Sequence, residues 1–310
     1  MSDPLERAES ILRAACGDRV RTGFRLAPLT TFRIGGPAAL FLEPESEADL
    51  LAASEAVRTT GIPFVVLGKG SNVLVADEGF AGLVLRLGRG YRWAAREGVR
   101  LRAGAAMPFP ALSGVALSHG LAGLEFAVAI PGSLGGAVRM NAGAHGAELA
   151  DVLESIDVFE LAEGTARRLA AGDAGLAYRR SALPPDGVVV GATVHLTPAA
   201  RELVRARMDA ARESRRRTQP LAEANCGSVF TNPPGDHAGR LIDEAGGKGL
   251  RVGGASISTK HANFIVTTEG ARALDVLELI RTVQELVAAR SGIRLDPEVH
   301  LVGDLDHAAR

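Results

Sequence analysis

Apolar and polar positions along the chain follow two different periods, and the points where they switch predict its elements. "ALFLEP" (39–44) reads as a strand. Ser46, with Asp49 three residues later, is a capping box that opens a helix, and Gly61 closes it. "PFVVLG" (63–68) predicts a second strand, followed by the loop "GKGSN" (68–72) and the apolar runs "VLVA" and "GLVLRL", a compact βαβ-containing unit. From about 90 to 198 the pattern is mostly β, in "VRLRAGA", "VLESIDVFEL" and "VVVGATVHLT". One helix near 108–119 and the glycine-rich stretch "AIPGSLGGAVRMNAGAHG" (129–146) interrupt it. Residues 199–217 predict a cationic connecting helix. A third region follows, with helix 237–245, strand "NFIV" (263–266), a long amphipathic helix over 270–290 and a closing β run, "GIRLDPEVHLVG". No internal repeat or low-complexity tail is visible.

Composition narrows the classes. A chain of 310 residues with 46% hydrophobic content is enough for two or three cored domains. Its net charge of −1 and 4% aromatic content argue against nucleic-acid binding. The polar opening "MSDPLERAES" shows no secretory signal, and no run of about eighteen apolar residues predicts a membrane span. Cys16 and Cys226 are the only cysteines, which fits a reducing compartment, so a soluble cytoplasmic protein is expected. The seven histidines show no metal-ligand spacing, and no metal is expected.

The glycine loops carry the first chemical signal. Residues 129–146 hold five glycines and one formal cation, Arg139. Neither this stretch nor "GKGSN" fits the dinucleotide fingerprint G-x-G-x-x-G, and no Walker-type P-loop occurs. Clustered backbone N–H groups can still hold a diphosphate without a lysine. Gly132, Gly135 and Gly136 are read as lying just before a short helical stretch whose N-terminus favours an anion. Either loop alone is equally an ordinary tight turn. Two such loops, each after an apolar run, point to one shared ligand, a dinucleotide held between two domains.

Seven motifs then occur in order: "TTFRIGGPA", "LGKGSNVLV", "GLEFAVAIPGSLGGAVRMNAGAHG", "YRRSAL", "NCGSVFTNP", "AGRLIDEAGGKGLRVGGASISTKHANFIV" and "LDPEVHLVG". Together, over roughly residues 29–303, they resemble the UDP-N-acetylenolpyruvoylglucosamine reductase (UDP-N-acetylmuramate dehydrogenase) family. The resemblance implies an α+β protein of three domains. Two form an FAD-binding module of the vanillyl-alcohol-oxidase (PCMH) type, residues 1–89 with 293–310 and residues 90–198. The third is a C-terminal α/β substrate-binding domain, 199–292. It further implies tightly bound FAD, NADPH as co-substrate, a nucleotide-sugar substrate, no nucleic-acid or membrane partner, and a monomer.

The implied substrate is an enol ether conjugated to a carboxylate. Hydride arriving at its terminal alkene carbon leaves negative charge on the alpha carbon and the carboxylate, which calls for a cation, a polar partner and an acid. By resemblance, Arg179 of "YRRS" is the cation, Ser228 of "NCGS" the proton donor and Glu298 of "DPEV" the acid that assists it. The FAD contacts implied are Gly68, Lys69, Gly70, Ser71, Asn72, Ile130, Pro131, Gly132, Ser133, Gly135, Gly136, Asn141, Gly143, Ala144 and Gly146. Substrate contacts are Tyr178, Arg217, Asn232, Lys248, Lys260 and His261. Taken bottom-up, Arg179 is a solvated loop arginine, Ser228 a strand hydroxyl, Glu298 an exposed carboxylate and the arginine run 212–217 a wet helix face. Cys226 sits at a variable motif position and is not expected to be catalytic.

Two departures mark the chain. Thr231 stands where a lysine is often found before "NP", and only 48 residues separate Arg179 from Ser228, so a tyrosine-bearing insertion of the long form is absent. Two other functions stay open at this point. An FAD oxidase of the same superfamily has no reason to carry the "NCGS" and "DPEV" pair. A flavin-free nucleotide-sugar-binding regulator predicts a colourless protein.

Overall fold

The computed structural model describes residues 3–305, so positions 1, 2 and 306–310 of the ranges above lie outside the described residues. The chain forms two compact units. The first comprises the chain up to Thr22, Leu40–Lys69 and Gly82–Ser214; the second comprises Gly23–Ala39, Gly70–Ala81 and the chain from Arg215 onward.

In the first unit, α1 (Pro4–Cys16) starts with proline at its first turn, capped by Asp3. Helix α2 (Glu47–Thr60) opens on the expected reciprocal Ser46–Asp49 box and ends at Gly61, whose φ of +69° suits a residue without a Cβ. Asp49 does more than cap. Its two oxygens also take the Arg19 fork at 2.6 and 2.7 Å, and that contact holds the carboxyl well below its usual range, at about 2. Ala8 and Leu12 of α1 and Leu50, Ala53 and Ala56 of α2 are buried with Leu40, Leu42, Leu83 and Leu85. Within this unit residues 40–42, 82–85 and 64–66 form a sheet in that order, with 64–66 parallel to 83–85.

A five-stranded antiparallel sheet follows, in the order 165–170, 153–160, 187–195, 100–104, 94–97. Helices α3 (Phe109–Ser118) and α4 (Leu134–Arg139) share its core, where Phe109, Leu112, Leu134 and Val138 meet Leu101, Ala103, Ile156, Val158 and Val194. Each large apolar side chain removed from water here contributes about 1.5–3 kcal/mol. Helix α5 (Arg201–Thr218) buries Val204, Met208 and Ala211 against Ala122, Val128 and Ala129 and leaves its cationic face in solvent.

The second unit is built on an antiparallel sheet in the order Ala224–Ser228, Phe264–Thr267, Ala255–Ile257, Arg251–Val252. Helix α6 (Ala238–Glu244) and the long α7 (Ala273–Ser291) cover it; Val276, Leu279, Ile280, Val283 and Val287 form the buried stripe of α7. The expected C-terminal β run is shorter than its apolar pattern suggests. Only His300–Val302 is a strand, parallel to Val73–Val75. Residues 296–298 run alongside 229–231 through two backbone bonds, Glu298 N–H to Val229 O and Thr231 N–H to Asp296 O, either side of the Phe230–Pro297 pair, a position where no proline N–H is called for.

Candidate active site

The glycine-rich stretch folds around Ser133. Its hydroxyl caps α4 by accepting Gly136 N–H at 3.4 Å, so Gly135 and Gly136 lie inside the helix and not ahead of it. Leu134 N–H goes to the Met107 carbonyl and Gly135 N–H to that of Ala105, both at 2.9 Å. The amides of this first turn therefore serve the fold, and the expectation that they face a diphosphate is corrected. Gly135 is a packing glycine, since a Cβ there would lie 3.1 Å from the Ala105 Cβ. Gly136 differs. It is exposed, and a Cβ would meet only the Ser133 hydroxyl, at 3.6 Å. With Gly132, at φ +150°, it leaves a strip of backbone bare of side chains, next to exposed Pro131. Ile130 is half-buried beside it.

The first glycine loop meets this strip, for a Cβ on Gly68 would sit 2.7 Å from Ser133 Oγ. Lys69 follows; desolvation, Arg92 and Arg86 hold its amine below the usual lysine range. In the second unit, Gly70 (φ +64°) crosses Leu29 so closely that a Cβ would lie 2.0 Å from its carbonyl oxygen, and Gly70 O accepts Thr31 N–H at 2.9 Å. Ser71 is half-buried. Asn72 is tied to the segment that carries Glu298, just ahead of strand His300–Val302: Nδ2 donates to Glu298 O at 3.1 Å, and its carbonyl accepts His300 N–H at 3.1 Å.

Arg139 explains why the stretch carries a single cation. Its guanidinium donates to the carbonyls of Leu183 (3.1 Å), Pro184 (2.9 Å) and Gly187, and desolvation lowers its pKa. It fastens the chain after Arg179 and does not wait for a ligand. Asn141, wholly buried at φ +40°, donates to Ala177 O at 3.2 Å and accepts Ala150 N–H at 2.9 Å. Ala177 and Arg180 exchange both backbone bonds, at 3.0 and 3.1 Å, which places Tyr178 and Arg179 at the tip of a two-residue turn. Arg179 adopts φ +57°, a strained region for a side chain of this size, costing about 1–3 kcal/mol. Its Nη2 donates to Gly143 O at 2.9 Å and its guanidinium lies 4.8 Å from the centre of the exposed Tyr178 ring. Gly143 and Ala144 pair with Ala147 and Glu148, and His145 and Gly146 make the turn at positive φ.

Ser228 ends the strand 224–228 at a bulge: Gly227 has φ +83° and donates to Asn225 Oδ1 at 3.0 Å. The next residue, Val229, accepts Glu298 N–H at 2.7 Å. Ser228 and Glu298, seventy positions apart, thus lie on neighbouring segments of the second unit, both half-buried, whereas Arg179 belongs to the first. Cys226 is buried in the core; burial, and then Glu298, push its thiol far above the range where a thiolate forms at neutral pH. Thr231, in place of a lysine, gives both N–H (2.9 Å) and hydroxyl (3.3 Å) to Asp296 O.

The substrate-contact candidates are scattered over these units with partners of their own. Asn232 Oδ1 accepts Ala238 N–H at the start of α6, Lys248 pairs with Asp243 at 2.6 Å, and Lys260 Nζ donates to Arg216 O at 2.6 Å. His261 Nδ1 accepts Asn263 N–H at 3.2 Å, which leaves Nε2 to carry the proton of the neutral ring, and burial lowers its pKa. Arg217 is exposed. Within the run 212–217, Arg212 pairs with Asp209 and Arg215 donates to Gln219. Among the described residues no helix is long and apolar enough to cross a membrane.

Comparison with known proteins fits this geometry. Residues 38–170 match a family described as an FAD binding domain, and residues 219–302 match the C-terminal domain of UDP-N-acetylenolpyruvoylglucosamine reductase. The reductase of Heliobacterium modesticaldum is 47% identical over 277 residues, 89% of this chain and 88% of the relative. That of Halalkalibacterium halodurans is 41% identical over 97% of this chain and 100% of its own. The crystal structure of the reductase from Thermus caldophilus superposes with a TM-score of 0.80 at 40% identity, covering 91% of this chain and 98% of that one. The α+β architecture with a PCMH-type FAD-binding module, expected from the motifs, is the one found. Two matched domains and near-complete coverage by relatives and a solved structure lead to one assignment: the chain belongs to the UDP-N-acetylenolpyruvoylglucosamine reductase family.

Proposed function

We propose that Arg179, Ser228 and Glu298 carry the reaction of this FAD-dependent oxidoreductase. The protein reduces the enolpyruvyl group of UDP-N-acetylglucosamine enolpyruvate to UDP-N-acetylmuramate, with NADPH as co-substrate, in peptidoglycan precursor synthesis. It acts in the cytoplasm as a monomer.

The bare backbone at Gly132 and Gly136, next to Gly68, suits a flat ligand that must approach main chain closely, and these residues with Pro131 would hold FAD. Lys69, Ser71, Ile130, Gly143, Ala144 and Gly146 complete that contact. Gly70, Gly135, Asn72 and Asn141 act one step back, by shaping the backbone the ligand meets. When bound, FAD supplies the hydride that NADPH provides.

The residues do the rest. Arg179 presents its fork to the substrate carboxylate, leaving one N–H on Gly143 O as an anchor. As hydride reaches the terminal alkene carbon, charge on the carboxylate grows, so Arg179 binds the transition state more tightly than the ground state. Ser228 Oγ delivers the proton to the alpha carbon, and Glu298 beside it stabilises the enediolate or replenishes that proton. Tyr178, Arg217, Asn232, Lys248, Lys260 and His261 supply contacts to the nucleotide sugar. The observation that carries the reading is the 2.7 Å backbone bond from Glu298 to Val229, which sets the serine and acid motifs side by side.

The visible spectrum tests it. The purified protein is expected to be yellow, to bleach anaerobically with NADPH and to regain its colour on one equivalent of enolpyruvyl substrate. A colourless protein that takes up no FAD overturns the reading, as does reduced flavin that the substrate leaves reduced.

A further inference from the structure

Asn263 is 4% exposed and makes bonds in three directions. Its N–H donates to His261 Nδ1 (3.2 Å) and its carbonyl accepts Val229 N–H (2.9 Å). Its side chain then reaches one residue further: Oδ1 accepts Phe230 N–H at 2.9 Å and Nδ2 donates to Phe230 O at 2.8 Å. A side-chain amide thus takes the place of a peptide group opposite Phe230.

The reason lies in the register. Strand 264–267 pairs Val266 with Asn225 and Phe264 with Ser228, so three steps on one strand oppose two on the other. Past that bulge one more backbone bond forms, from Val229 N–H to Asn263 O, and the Asn263 side-chain amide then takes both groups of Phe230. On its other edge, segment 229–231 is held by Glu298 N–H to Val229 O (2.7 Å) and Thr231 N–H to Asp296 O (2.9 Å). Ser228 is the last residue before this clamped segment, and Glu298 is bonded directly to it.

We propose that Asn263 is a positioning residue for Ser228 and Glu298: its amide fixes the register of 229–231, and with it the side on which the Ser228 hydroxyl stands. The physical basis is the period of two in extended chain, where a slip of one residue turns every side chain to the opposite face. Leaving both Phe230 groups without partners favours such a slip, because buried amides seek other bonds. The inference rests on Ser228 being the proton donor.

Asn263→Asp tests it in the FAD-loaded enzyme by stopped flow, with the two half-reactions measured separately. The carboxylate keeps an acceptor for Phe230 N–H but loses the donor to Phe230 O. Flavin reduction by NADPH is expected to stay at the wild-type rate, while reoxidation by substrate falls roughly 10- to 100-fold, the cost of a small misplacement at a reacting group. Once protonated, the carboxyl introduced by N263D again offers one acceptor and one donor. A buried carboxyl facing a carbonyl titrates above the usual carboxylate range, so the variant-to-wild-type ratio should recover as pH falls through that value. His261, Glu298, Asp296 and Cys226 lie on the elements packed against this segment and are present in every variant, and the uncharged Asn263→Ser variant reports their own contribution to the pH profile.

Asn263→Ser, uncharged and too short to span both Phe230 groups, should slow reoxidation to a similar extent with no recovery at low pH. Added to Ser228→Ala, N263D should slow reoxidation no further. Equal loss in both half-reactions, a ratio flat with pH, or full additivity in the double variant overturns the inference. If Ser228→Ala alone reoxidises normally, the proton-donor assignment falls first and this inference with it. If Ser228→Ala is slow while N263D is not, only the positioning role falls.

Discussion

Arg179 in the first unit and Ser228 in the second are supported differently: charged donors join a neutral amide around the one, and neutral amides serve the other. Around Arg179 the ties include charged donors on carbonyls: Arg139 on Leu183, Pro184 and Gly187, and Arg179 itself on Gly143. Around Ser228 they are neutral amides: Asn225 on its own loop, Asn263 on Phe230, Asn72 on Glu298 and Gln284 on Leu295. A charge-assisted bond is about twice as strong as a neutral one but brings a desolvation cost, seen in the depressed pKa of Arg139. That trade suits a tight turn that must hold an arginine at positive φ. Amides cost less to bury and fix register, which suits a hydroxyl whose only requirement is direction.

Removing the directed group should have the largest effect. Ser228→Ala is expected to slow flavin reoxidation by substrate about 10²–10⁴-fold while NADPH reduction is unchanged, the range for a lost general acid. Wild-type reoxidation in stopped flow would break the comparison at its root, because another group would be the acid.

The turn comes next. Arg179→Lys keeps a charge but loses the fork, and at about 3–4 kcal/mol for a positioned transition-state contact it should cost roughly 10²–10³ in kcat. KM alone should move if the residue merely binds substrate, and equal damage to both half-reactions would point instead to the flavin site.

Arg139→Met sharpens the contrast in supports. It keeps much of the volume and strands three carbonyls, so a loss of about 3 kcal/mol in denaturant unfolding is expected. A loss below about 1 kcal/mol would mean that water replaces the guanidinium without penalty and that the charged ties are incidental.

The smallest effect separates fold from ligand at one atom. Gly136→Ala places a methyl on a helix in no more than ordinary contact with the Ser133 hydroxyl, so apoprotein stability should rise by up to about 1 kcal/mol. FAD affinity, measured by fluorescence titration, should fall if the ligand lies on that face. Stability and affinity changing with the same sign would remove Gly136 from the cofactor contact.

Much of this was legible in the chain. The Ser46–Asp49 box, Gly61 and the stripe of α7 are local patterns, decided by residues within a few positions of one another. The motifs identified the family because their order and spacing were enough, without any knowledge of packing. Less legible was the difference between neighbouring glycines. Gly135 and Gly136 look alike in sequence, and only Ala105, thirty positions away, makes one a packing residue and leaves the other open. The same holds for Arg139, which reads as a candidate anion partner until its three carbonyls are found.

By itself, the sequence determined the element types, the α+β class and the family, and it marked the side chains proposed to react, because propensity, capping and motif spacing are properties of the chain read in order. The tertiary structure alone decided which polar groups are spent on the fold. Asn141, Asn263 and Arg139 all bond to backbone more than thirty positions away, and the chain carries no local mark of such a partner. A buried amide or guanidinium is satisfied by whichever carbonyl the packing brings within about 3 Å, and that is settled only when the core closes.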